Sequence, residues 1–167
     1  MKKWLLTLLL LSNSIIYGAD GLTKEMPMSL FLRKITSAYR DGMNAVENYK
    51  TDKKIESKYY VDDKLRICSI SPTGALESFL ADFGDSYVYY AYYGDDKNKD
   101  ALIPMFLKLK TEFQRFMDKN KDFTLKEGYS EYSIIYKSDY CEVELDMYEN
   151  SNLPDGTWCV TLNIDAF

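Results

Sequence analysis

From Cys141 to its end the chain reads CEVELDMYENSNLPDGTWCVTLNIDAF, with apolar and polar side chains alternating on both sides of a turn-forming NLPDG. A period of two is the spacing of a strand with one buried face, and it argues against a helix over the same residues. Cys141, Val143, Leu145 and Met147 share one face of the first strand; Trp158, Val160, Leu162, Ile164 and Ala166 share one face of the second. Another strand is expected around 132–137, so the last third of the chain is an antiparallel meander.

Two stretches carry the helical period instead. Ser29 to Lys50 places Leu30, Ile35, Ala38, Met43 and Val46 at near-helical spacing, with Ser29 as its cap. ALIPMFLKLKTEFQRFMDKN repeats Leu102, Phe106, Leu109, Phe113 and Phe116 or Met117 on one face, with Pro104 expected in the first turn. Between them, Ile55, Tyr59 and Val61, an Asp62-Asp63 turn, and Leu65 and Ile67 read as two antiparallel strands. SPTGALESFLADFGD reads as a short helix striped by Leu76, Phe79 and Leu80 and ended by Gly84. The expected class is therefore α+β: an antiparallel sheet of about five to six strands with two longer helices packed on one face. The helix, strands, helix, strands order hints at duplication, but no residue-level repeat accompanies it, and a single domain over 20–167 is expected.

The run YVYYAYY, five tyrosines in seven residues, is the chain's most unusual stretch. Read as a strand, Tyr87, Tyr89, Ala91 and Tyr93 share one face and Val88, Tyr90 and Tyr92 the other. Aromatic enrichment favours the strand over a short helix between two glycines. Tyrosine offers large amphipathic contact area at low entropic cost, so Tyr87, Tyr89, Tyr90, Tyr92 and Tyr93, with Asp95 and Asp96 beside them, are candidates for partner binding, and at least two of the rings are expected to be exposed. Glu142, Glu144 and Asp146 alternate with the apolar set of their strand and are expected to line a solvated sheet face that suits the basic rim of a partner.

The first residues limit the compartment. Lys2 and Lys3 precede an almost unbroken apolar run from Trp4 to Leu11, then small and polar residues lead to Gly18 and Ala19. That is the layout of a secretory signal peptide, expected over 1–19, and its apolar core is shorter than the roughly 20 residues of a membrane-spanning helix. The expectation is a bacterial protein, periplasmic or secreted, with no stable membrane anchor. Removing 19 of 167 residues leaves 148 and takes both lysines away, moving the formal charge from −5 to −7. An acidic domain lacks the cations that hold phosphate backbones, so nucleic acid is not an expected partner. In an oxidising compartment, two of Cys68, Cys141 and Cys159 are expected to form a disulfide. Strand parity puts Cys141 and Cys159 on opposite faces of their hairpin and disfavours that pairing.

No histidine occurs in the chain, which removes the commonest general base and transition-metal ligand and excludes a histidine-assisted triad. A calcium loop starting at Asp95 would need glycine where Asp100 stands and glutamate where Phe106 stands; one starting at Asp118 fails in the same way at Phe123 and Tyr129. Neither a glycine-rich phosphate loop nor a CxxC pair is present. The expectation is thus no catalytic residue, no metal and no cofactor. A small acidic exported domain of this kind is expected to bind a protein, such as a basic enzyme or toxin, and to act by occlusion as an inhibitor or immunity protein. The rival expectation is a cell-envelope protein that holds a glycan or small ligand between helices and sheet.

Overall fold

A computed structural model describes residues 22–62 and 64–167. The expected signal segment 1–19 and the Asp63 half of the expected turn lie outside the described residues. Along the chain run β1 (Lys24–Met26), α1 (Met28–Asp41), α2 (Met43–Glu47), β2 (Lys50–Lys54), β3 (Leu65–Cys68), β4 (Ile70–Pro72) and β5 (Glu77–Asp82). There follow β6 (Tyr87–Asp96), α3 (Lys99–Met117), β7 (Thr124–Lys126), β8 (Ser133–Lys137), β9 (Cys141–Glu149) and β10 (Trp158–Ala166).

Eight strands form one antiparallel sheet in the order β2-β3-β5-β6-β10-β9-β8-β7, more than the sequence led us to expect. The order is two four-stranded meanders, each preceded by a helix and joined through their last strands, β6 and β10. The duplication hinted at by the element order thus has a counterpart in topology. At the join the register slips between Val160, opposite Gly94, and Thr161, opposite Tyr92, leaving Tyr93 as the extra residue of a bulge. A short parallel pair, β1 with β4, lies outside this sheet.

One face of the sheet carries the helices. Phe31, Leu32 and Ile35 of α1, Val46 of α2, and Phe106 and Phe113 of α3 pack in one cluster with Tyr89 and Ala91 of β6, Leu145 of β9 and Leu162 of β10. The Tyr39 hydroxyl fastens α1 to the middle of the sheet, within 2.9 and 3.0 Å of the carbonyl oxygens of Tyr87 and Ile164. The expected stripe of α3 is the one buried, with Met117 rather than Phe116 as its last member. Its cap is Asn98, whose Oδ1 accepts from the Asp100 amide at 3.1 Å. Because the helix begins at Lys99, Pro104 lies beyond its first turn and the Asp100 carbonyl forfeits its helical donor.

Four further expectations need correction. The single helix over 29–50 is broken at Gly42, whose φ of +98° an L side chain rarely adopts, and α1 starts after Pro27 rather than from a Ser29 cap. The expected helix over 71–84 is the strand β5. Its neighbours Phe79 and Leu80 are both buried, on opposite faces, which mimics a helical stripe in sequence. The expected strand over 55–61 begins earlier, as β2, and the following segment is a loop that folds across the sheet.

The fourth correction concerns the cysteines, which are all buried and free. Cys159 lies opposite Tyr148 while Cys141 lies opposite Ala166, at the other end of the same hairpin. Cys68, on β3, is separated from β9 by three intervening strands at about 4.8 Å per step. Burial pushes the thiols of Cys68 and Cys141 up to about 12 and that of Cys159 to about 11, so they behave as small apolar groups. Among the described residues no helix is long and apolar enough to cross a membrane.

Candidate functional site

The alternation that sends Tyr87, Tyr89, Ala91 and Tyr93 toward the helices sends Val88, Tyr90 and Tyr92 to the other side of the sheet. On that side β9 presents Glu142, Glu144, Asp146 and Tyr148, and β10 presents Thr161, Asn163 and Asp165. Register aligns them in ranks. Thr161 lies opposite Asp146 and Tyr92, Asn163 opposite Glu144 and Tyr90, and Asp165 opposite Glu142 and Val88. Ser133 of β8 lies opposite Asp146, and its hydroxyl donates to Glu144 Oε1 at 2.9 Å.

These carboxylates are not on the solvated face that the sequence suggested. Glu142, Glu144 and Asp146 are all half-buried. Burial, then the charge of Glu144, pushes the Asp146 carboxyl up to about 6 against an ordinary 3.8, while the Met147 amide opposes the rise. Burial also raises Glu144, with Ser133 opposing and Glu142 adding to the shift. Asp165, exposed as a residue, is raised as well, chiefly by desolvation of its carboxyl. Among the described residues no lysine or arginine forms an ion pair with any of the four. Beneath the charged groups, Thr161 Oγ1 and Asn163 Oδ1 are buried with no hydrogen-bond partner among the described residues. Each such group is costly to leave unsatisfied, by about 1–3 kcal/mol.

Aromatic rings border this polar band. The loop after β2 lays Tyr59 on Tyr92, stacked at 4.3 Å with 7° between planes, and Tyr60 on Tyr90 at 4.9 Å. Phe79 backs Tyr90 at 5.5 Å. The Tyr59 hydroxyl donates to Asp95 Oδ1 at 2.6 Å, and Lys58 Nζ reaches the same oxygen at 2.7 Å. Burial pushes Asp95 up, but the bonds from Lys58 and Tyr59 outweigh it and hold the carboxyl below its usual range. Asp95 is therefore already neutralised, in contrast to Glu144 and Asp146.

The residues singled out from the sequence thus separate. Tyr87, Tyr89 and Tyr93 are buried under the helices, and Tyr92 is buried under Tyr59, so the expectation of two exposed rings is not met. Tyr90 alone of the run is half-buried on the open side. Asp96 is exposed and accepts from the Asn98 amide at 2.7 Å in the turn before α3. Glu142, Glu144 and Asp146 are brought together, and the fold adds Ser133, Thr161, Asn163, Asp165, Tyr60 and Tyr148. The alternation of TLNID against CEVELD carried the signal for the β10 residues, since both strands place their polar set on one face.

The arrangement suits a cation: desolvated carboxylates and a buried acceptor that have no ion-pair or hydrogen-bond partner to meet them among the described residues, apart from Ser133 on Glu144, with tyrosine faces at the edge. No group of three or more Cys, Asp or Glu side chains within reach of a common metal ion occurs among the described residues. An organic cation, a guanidinium or ammonium, matches the spread of the groups better. No protein-family model matches the chain, and no curated protein or solved structure matches it either.

Proposed function

We propose that the protein is an exported binding protein that occludes a basic protein partner, in the manner of an inhibitor or immunity protein for a toxic envelope enzyme. The open sheet face is its contact surface, and Glu144 and Asp146 receive a lysine or arginine side chain of the partner. The observation that carries this reading is that Glu144 and Asp146 are half-buried with no ion-pair partner among the described residues. Desolvation that is uncompensated in the free protein is repaid when a partner's charge arrives, which favours binding over folding as the reason for the groups. Tyr90 and Tyr148 supply the aromatic contact, and the occlusion needs no catalytic step.

The test is capture followed by inhibition. Mature protein immobilised through its N-terminus is exposed to envelope and supernatant extracts of its own and neighbouring cells, in parallel with the double variant Glu144→Gln/Asp146→Asn. The expected result is a basic enzyme retained stoichiometrically by the wild type, inactive while bound, and released by the double variant. An enzyme held equally by both forms would remove the open face from the contact, and retention of nothing would overturn the protein-occlusion reading.

A further inference from the structure

A strap of the chain and an uncovered strip share the polar face of the sheet. Lys58, Tyr59 and Tyr60 meet Asp95, Tyr92 and Tyr90 in turn, so this strap runs along β6 in the opposite direction to it. Two side-chain amides hold it in place: Asn150 and Asn152 each donate from Nδ2 to the Tyr59 carbonyl oxygen, at 3.1 and 2.9 Å. The strip lies over β9. There Glu144 and Asp146 are half-buried, while Thr161 on β10 and Ser133 and Ile135 on β8, which flank them in register, are buried.

The strap is itself an example of what this face receives. Lys58 Nζ lies 2.7 Å from Asp95 Oδ1 and 4.8 Å from the centre of the Tyr59 ring, so a segment without helix or strand pairing delivers a cation to a carboxylate beside a tyrosine. Asp146 stands two strands across from Tyr92, with Thr161 between them. It and Glu144 form no ion pair among the described residues, and the buried Thr161 Oγ1 beside them has no hydrogen-bond partner there. The strap thus fills the β6 half of the face and leaves the β9 half, with the same chemistry, to another chain. Glu142 is outside this strip's cation site because Lys137 lies opposite it across the β8–β9 pair, with its ammonium 3.9 Å from the centre of the Phe167 ring.

We infer that the partner presents an extended segment with two arginines or lysines at alternate positions, laid along β9 beside the strap. The inference rests on the reading of this face as the contact surface and adds the shape and spacing of what it takes. Glu144 and Asp146 are two residues apart on a strand, a separation of about 6.8 Å. An extended chain repeats its side chains on one face at that same interval, so cations at alternate positions meet both carboxylates in register. A helix with its side chains is about 10–12 Å across, too broad for a strip one strand wide, and its same-face neighbours are three or four residues apart.

Three capped peptides of one composition and charge test the spacing: Gly-Arg-Thr-Arg-Thr-Thr-Gly, Gly-Arg-Arg-Thr-Thr-Thr-Gly and Gly-Arg-Thr-Thr-Thr-Arg-Gly. Each is titrated into the mature protein at low salt and about pH 7.5, where Asp146 is ionised, while the side-chain carboxyl carbons are followed by NMR. The alternate-arginine peptide is expected to move the Glu144 and Asp146 signals with a Kd on the order of 100 µM, about fivefold tighter than the other two. Glu144→Gln/Asp146→Asn is expected to weaken it about tenfold and erase the preference, whereas Glu112→Gln, a charge removed from α3 on the other side of the sheet, binds like the wild type. Equal binding of the three peptides, or a tighter fit for adjacent arginines or for those four apart, would overturn the extended-segment inference and leave a basic partner on this face in place. Peptides that leave the Glu144 and Asp146 signals unmoved, or that bind the double variant as well as the wild type, would remove the face as a cation site and this inference with it.

Discussion

The two faces of this sheet are built from alternate residues of the same strands, yet they bury different things. On β9, Val143 and Leu145 lie at 0% exposure under the helices, while the alternating Glu144 and Asp146 are half-buried carboxylates with no ion-pair partner among the described residues. The helix face is held mainly by apolar packing, which needs no polar partner, although the hydroxyls of Tyr89 and Tyr93 are left without one among the described residues. The other face gathers polar groups that the chain leaves partly unmet, Thr161 and Asn163 among them. The first face holds the larger apolar core; the second combines a smaller one, around Tyr59, Phe79 and Tyr92, with carboxylates whose desolvation costs stability.

Substitutions on the two faces should therefore differ in sign as well as size. The largest effect is expected for Phe113→Ala, which empties a fully buried ring site beneath α3 and should cost about 3–5 kcal/mol in denaturant unfolding. Asp146→Asn should do the reverse. With its folded pKa raised from 3.8 to about 6, ionising Asp146 costs stability, fully above about pH 6 and not at all below its unfolded value. The variant should gain about 1–2 kcal/mol at pH 7, and the difference should vanish as pH falls toward about 4. With no histidine in the chain, Asp146 is a group whose shift brings a charge change into that range.

Smaller effects sharpen the boundary between the faces. Tyr59→Phe keeps the stack on Tyr92 but removes the hydroxyl held by Asp95, and a loss of about 1 kcal/mol is expected in the same unfolding assay. Val61→Ser, at a position 81% exposed in that loop, should stay within about 0.5 kcal/mol of the wild type. A larger loss at Val61 would mean that the loop is anchored by more than Tyr59 and Tyr60.

Much of this arrangement was legible where periodicity had one meaning. The α3 stripe from Leu102 to Phe113, the parity of β9 and β10, and the two-sided tyrosine strand all follow from spacing. Where a segment is buried on both sides the pattern loses its meaning: Phe79 and Leu80 enter opposite cores and imitate one helical face. The break at Gly42 depends on a backbone angle that composition only hints at. The site was half legible. Glu142, Glu144 and Asp146 could be placed on one strand face, but their burial depends on Thr161, Ser133 and the tyrosines, which only strand order brings alongside. The tyrosine run misled because aromatic richness marks binding surfaces and two-sided cores alike, and here Tyr59 and α1 cover most of it.

The central claim is that Glu144 and Asp146 form a desolvated, uncompensated pair awaiting a partner's cation. Carbon-13 NMR titration of the side-chain carboxyls in the free mature protein reads this directly. The expectation is Asp146 titrating near 6 and Glu144 above its ordinary value, both clearly higher than Asp95. If Asp146 and Glu144 titrate in the ordinary carboxylate range, the face is a solvated surface, and the reason for assigning it a basic partner is gone.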